Sequence, residues 1–89
     1  MPRVSEFFGI VISLYYNDVG QHSRPHFHAR YGDEEAVFTI PEGDVLAGYL
    51  PRRQRRLVQA WAAVRVRELE QEWARALNME PPGSIKPLR

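Results

Sequence analysis

The run PHFHARYGDEEAVFT, residues 25–39, alternates on both sides of a Gly-Asp pair. His26, His28 and Arg30 share one parity while Phe27, Ala29 and Tyr31 share the other, which is the period of two expected of a strand with one apolar face. Pro25 lacks an N–H and suits a strand start. Gly32-Asp33 is a two-residue connection with Gly first, the kind that closes a tight hairpin. With those two residues as the loop, the register follows. Tyr31 faces Glu34, Ala29 faces Ala36 and Phe27 faces Phe38, while Arg30 faces Glu35, His28 faces Val37 and His26 faces Thr39. One side collects small and aromatic residues, and the other pairs Arg30 with Glu35. A slip by one residue would mix the two sets.

Working outward, Phe8, Ile10, Ile12, Leu14 and Tyr16 alternate against Phe7, Gly9, Val11, Ser13 and Tyr15, which predicts a first strand ending at the turn former Asn17-Asp18. Val19 to Arg24 is polar and unpatterned, so a loop is expected there. Downstream, Pro41-Glu42-Gly43-Asp44 reads as a turn, after which Val45, Ala47 and Tyr49 are expected on the core face. Pro51 suits the first position of a helix, and no Gly or Pro follows until after Leu77. At 1.5 Å per residue such a helix runs to about 40 Å, and its apolar stripe drifts. Leu57, Val58, Trp61 and Val64 define one sector, and Val66, Leu69, Trp73 and Leu77 lie about a quarter-turn further round. Either a bend near Arg65 interrupts the helix, or its second half packs on something else, for which a subunit partner is the natural candidate. Residues 78–89 hold three prolines and are expected as an extended tail docking through Ile85 and Leu88. The predicted architecture is an α+β domain over residues 1–89. A four-stranded antiparallel meander, residues 7–50, packs on one long C-terminal helix, residues 51–77, with the tail at 78–89.

Composition narrows the chemistry. Eighty-nine residues, 44% of them hydrophobic, suffice for one core and not two. Cysteine is absent, which removes disulfides, thiolate metal sites and thiol nucleophiles together. The longest apolar stretch, Phe7 to Tyr16, is half a membrane span and the first residues lack a signal-peptide pattern, so the expectation is a cytoplasmic protein with no membrane contact. Charge is uneven. Residues 1–50 carry three basic and seven acidic side chains, and residues 51–89 carry nine basic and four acidic. Such a split can steer an anionic partner or join two copies head to tail, so a homodimer is one expectation.

Pro25-His26-Phe27-His28 is the sharpest chemical signal. Residues i and i+2 of a strand project to the same side with Cα atoms about 7 Å apart. Three uses remain open. His26 and His28, with His22 and the carboxylates of Asp18 and Glu35, can supply the ligands of a divalent metal such as Zn²⁺. Alternatively, Arg30 can hold a phosphodiester while His26 or His28 moves a proton, as in metal-independent RNA cleavage. The third use is structural, with the imidazoles hydrogen-bonded to Thr39, Tyr15 or backbone. Arg52, Arg53 and Arg56 fall within about 100° of one another on a helix and Arg67 joins them, a basic ridge for a nucleic acid or an acidic partner. Trp61 and Trp73 read as core or interface anchors, with base stacking by Trp73 as the alternative. Phosphate loops, dinucleotide fingerprints, Gly-x-Ser-x-Gly and zinc-protease helices are all missing.

Together these residues resemble the small bacterial proteins grouped as domain of unknown function 4160. The likeness runs through Gly9-Ile10, Tyr15, Asp18, Pro25-His26-Phe27-His28, Tyr31-Gly32, Glu35-Ala36, Phe38, Gly43, Gly48, Leu50-Pro51, Arg53, Trp61, Glu68-Leu69 and Trp73. Proteins of this kind are often encoded beside a second small protein, in what looks like a toxin–antitoxin module. The resemblance therefore implies a small antitoxin-like protein partner encoded nearby. Two departures stand out: Val19 to Arg24 is lengthened, and Arg65 stands where the family commonly has His. Three functions follow as expectations. The first is a component of a toxin–antitoxin-like pair that binds or cleaves RNA through His26, His28 and Arg30. The others are a non-enzymatic interaction module and a His/carboxylate metal-binding regulator.

Overall fold

The computed structural model describes residues 3–15 and 24–88. Asp18 and His22, and with them the expected turn and all of the expected loop but Arg24, lie outside the described residues. Five strands form one sheet in the order of the chain: β1 Arg3–Phe7, β2 Ile10–Ser13, β3 His26–Tyr31, β4 Glu34–Thr39 and β5 Val45–Gly48. Every neighbouring pair is antiparallel. The β3–β4 hairpin has the expected register at all six positions, from His26 opposite Thr39 to Tyr31 opposite Glu34. Phe27 and Phe38 stack across it with ring centroids 5.3 Å apart.

The predicted first strand is two strands. Phe8 and Gly9 have φ of 50° and 77°, and Phe7 pairs directly with Ile10 across them. Two central residues with positive φ are the signature of a type I′ hairpin turn, whose twist matches that of the strands it joins. Gly9, which the alternation placed inside a strand, is therefore a turn residue. The parity of the run changes there: Phe7 is buried and Phe8 is 61% exposed, while Ile10, Ile12 and Leu14 are fully buried. The last strand also departs from expectation. Its pairing with β4 shifts register between Val37 and Phe38, and Gly48 has φ of 79°. Such a bulge breaks strict alternation. Val45 and Tyr49 are accordingly exposed and Leu50 is the buried apolar residue.

The predicted long helix divides at Arg65 into α1 Arg52–Val64 and α2 Val66–Leu77. Arg65 has φ −110° and ψ 26°, and its N–H is shared between the carbonyls of Trp61 and Ala62. Each half then aims its own apolar side chains inward, Val58, Trp61 and Ala62 from α1 and Leu69, Trp73 and Ala76 from α2. Trp61 meets Phe27 with ring centroids 5.7 Å apart, and Trp73 meets His26 at 5.1 Å. Phe27 and His26 are consecutive on β3 and have opposite parity. The bend accounts for part of the drift, while Val64 and Leu77, members of the two expected sectors, stay 66% and 56% exposed.

The tail docks, as Ile85 and Leu88 suggested. Ile85 is 4% exposed, and its N–H donates to Val4 O at 2.7 Å, which occupies part of the free edge of β1. Trp61 Nε1–H donates to Lys86 O at 2.8 Å, and Gly83 N–H donates to the buried Glu72 Oε1 at 2.7 Å. Among the described residues no helix is long and apolar enough to cross a membrane.

Candidate functional site

Strand alternation carries His28 and Arg30 to one side of β3 while Phe27 and Ala29 enter the core on the other. Antiparallel pairing then adds neighbours of the same parity: Ser13 lies opposite His28 and Val11 opposite Arg30, with Val37 and Glu35 across the other edge. These elements make a small cavity of about 20 Å³ lined by Val11, Ser13, Tyr15, His28, Arg30 and Glu35. That is room for about one water molecule.

His28 is its centre. The Nδ1–H donates to Glu35 Oε2 at 2.9 Å, and the side chain keeps 15% of its exposure against 47% for Glu35. A carboxylate only accepts, so this bond places a ring proton on Nδ1. The Tyr15 ring stands edge-on to the imidazole with centroids 4.6 Å apart and planes at 88°. The expected Arg30–Glu35 pair is present in the backbone register, but the carboxylate turns to His28, its diagonal neighbour. Diagonal positions lie within reach of long side chains.

His26 shares that parity, and its ring centroid is 5.5 Å from that of His28. It is nevertheless only 1% exposed, held between His28 and Trp73. Its Nδ1–H donates to Arg24 O at 2.8 Å, so His26 matches the backbone-bonded reading and does not face solvent beside its neighbour. The two imidazoles are adjacent but inequivalent, one accessible and one sealed. For the expected metal set of His22, His26 and His28, His22 lies outside the described residues. Among the described residues no group of three His, Cys, Asp or Glu side chains comes together to hold an ion.

The basic ridge is partly assembled. Arg52, Arg53 and Arg56 are exposed and line an open depression with Leu57. Arg67 is exposed too but belongs to α2, so the helical phase that aligned it with the others does not carry across the bend at Arg65. Trp73, expected at a partner-binding surface, is 8% exposed and packs on His26 with ring centroids 5.1 Å apart. Glu35 enters the sequence reading as an ion ligand and as the partner of Arg30, and its bond to His28 is an addition from the structure. A signal for it lies in the hairpin register, which sets Glu35 two residues from the partner of His28. Ser13 and Val11 are legible as one face of the first apolar run, but their pairing with β3 depends on a connection that the sequence leaves open.

No curated protein and no solved structure matches the chain. A family model does, over residues 9–74. That span starts at the Gly9 turn, takes in β2 to β5 and α1, and reaches Trp73. With most of its length inside the match, the chain belongs to the family described as Domain of unknown function (DUF4160).

Proposed function

We propose that this chain is the RNA-directed component of a toxin–antitoxin-like pair, with His28 as the acid–base group of a phosphodiester site. The observation that carries the reading is the Glu35–His28 hydrogen bond at 2.9 Å beside Arg30, on a cavity too small to engulf a metabolite. A substrate for such a site lies across the surface, as a polymer backbone does. Arg30 offers a planar fork of donors matched to phosphate oxygens. Nε2 of His28 takes the proton of a ribose 2′-hydroxyl, whose oxygen attacks the adjoining phosphorus. The P–O5′ bond breaks as the O2′–P bond forms, giving a 2′,3′-cyclic phosphate. The departing O5′ takes up a proton from the imidazolium or from Tyr15 O–H, so the protons balance and no metal is needed. Glu35 holds the tautomer and stabilises the imidazolium. His26 is a positioning residue here, packing against His28 and tied to Arg24 O.

The test is cleavage of an end-labelled RNA by the purified chain in the presence of chelator, with and without the product of the adjacent reading frame. His28→Gln should lower the rate by about 10² or more, the usual contribution of general acid–base catalysis. Glu35→Gln should lower it less, and both variants should keep the circular dichroism of the parent. Full cleavage by His28→Gln rejects the reading.

A further inference from the structure

Four guanidiniums, those of Arg52, Arg53, Arg55 and Arg56, fall in the first five residues of α1. Of the other six described arginines, four meet carboxylates, Arg3 with Glu6, Arg24 with Glu42, Arg65 with Glu68 and Arg75 with Glu72, and Arg30 and Arg67 form no such pair among the described residues. Among the described residues no salt bridge joins any of the four in α1 to a carboxylate, and the first turn of that helix holds no acidic side chain. Arg52, Arg53 and Arg56 surround Leu57 in an open depression of about 600 Å³. A concentration of unneutralised charge on one exposed patch is the electrostatic footprint of a polyanion.

The chain path ties this patch to the His28 site. Tyr49 N–H donates to Glu35 O at 3.0 Å, so the residue that orients His28 is bonded through its backbone to Tyr49. Leu50 and Pro51 alone separate Tyr49 from Arg52, which puts the Cα of Arg52 within about 11 Å of that of Tyr49 even for a fully extended link. Tyr49 is 59% exposed. An acidic polypeptide would use the charges and leave the ring idle. A single-stranded nucleic acid uses both, its phosphates on the guanidiniums and a base stacked on the phenol.

We infer that Tyr49 and the arginines of the first turns of α1 form a binding surface for single-stranded RNA that leads the strand to His28. Its choice of RNA rests on the phosphodiester reading of that site. Fluorescence anisotropy with a short labelled 2′-O-methyl oligouridine, which cannot be cleaved, separates binding from chemistry. The triple variant Arg52→Gln/Arg53→Gln/Arg56→Gln should lose at least about tenfold in affinity at low salt, and its log–log salt slope should shrink by about 2, at 0.7 per phosphate contact. Tyr49→Ala should weaken binding by about fivefold or more, the lower end for one stacked base. The triple Arg→Lys variant should retain most of the affinity. Unchanged affinity and slope in the triple Gln variant overturns the surface, as does failure of the parent to bind. Capture of a labelled polyglutamate instead of the oligouridine overturns it in favour of an acidic protein partner. Binding through the arginines with full cleavage by His28→Gln leaves the surface standing and removes the His28 reading.

Discussion

His26 and His28 differ in access and in the partner of Nδ1. Both donate from Nδ1, one to a carbonyl and one to a carboxylate, and His28 borders a cavity while His26 is 1% exposed. The carboxylate partner of His28 is itself held by the local backbone. At Gly48 an added Cβ would collide with the carbonyl oxygen of Glu35 and crowd the Cα of Ala36, and φ there is 79°. Gly48→Ala should therefore cost about 2 kcal/mol or more, since bad contacts and an unfavourable φ act together. Urea titration measures the loss, and a stability equal to the parent would show that the β4–β5 contact is not tight. Ser5 offers the opposite case. Its hydroxyl is buried with no hydrogen-bond partner among the described residues, and an unmet buried hydroxyl costs about 1–3 kcal/mol. Ser5→Ala should leave the melting temperature equal or higher; a clear drop would mean that the hydroxyl is satisfied in solution.

The β1–β2 hairpin and the divided helix show how elements end where backbone geometry requires it. A type I′ turn asks for positive φ at both central positions, for which Asn-Gly is the favoured pair, and this chain supplies Phe8-Gly9. Phe8 is mostly exposed, so little packing offsets the strained conformation beyond an edge contact with Phe7 at 6.4 Å. Phe8→Asn is expected to stabilise the fold by about 0.5–1 kcal/mol, in line with the cost of holding a bulky residue at positive φ. Thermal melts of parent and variant decide it, and a lower melting temperature for the variant would mean that the aromatic pair outweighs the turn. In the helical segment the bend at Arg65 lets Trp61 and Trp73 address β3 residues of opposite parity. A straight helix would hold its buried stripe to one sector.

Over the whole molecule the extended tail is part of the core. Ile85 is buried against it, and the Lys86 carbonyl satisfies the indole of the fully buried Trp61. The same indole lies against Phe7 and Phe27, so loosening the tail should be felt at the centre of the sheet. Ile85→Ala should destabilise by about 2–4 kcal/mol, the range for a buried isoleucine truncated in a packed core. The combined emission of Trp61 and Trp73 is expected to shift to the red at lower urea in that variant. A midpoint matching the parent would mean that the tail is an ornament and not a structural layer.

Alternation, turn chemistry and propensity are local, and they suffice for the α+β class, the β3–β4 register and the docking of the tail, whereas the expected single helix over residues 51–77 is two, with Arg65 between them. They misread the run from Phe7 to Leu14, because a Phe-Gly turn preserves an apolar pattern across a reversal of direction that periodicity does not see. They also pair Glu35 with Arg30, whereas the carboxylate bonds to His28, since a diagonal contact depends on how the side chains are laid across a twisted sheet. Which imidazole stays accessible is settled by the path of α2, and sequence spacing carries no information about a side chain arriving from 47 residues further along, as Trp73 does at His26.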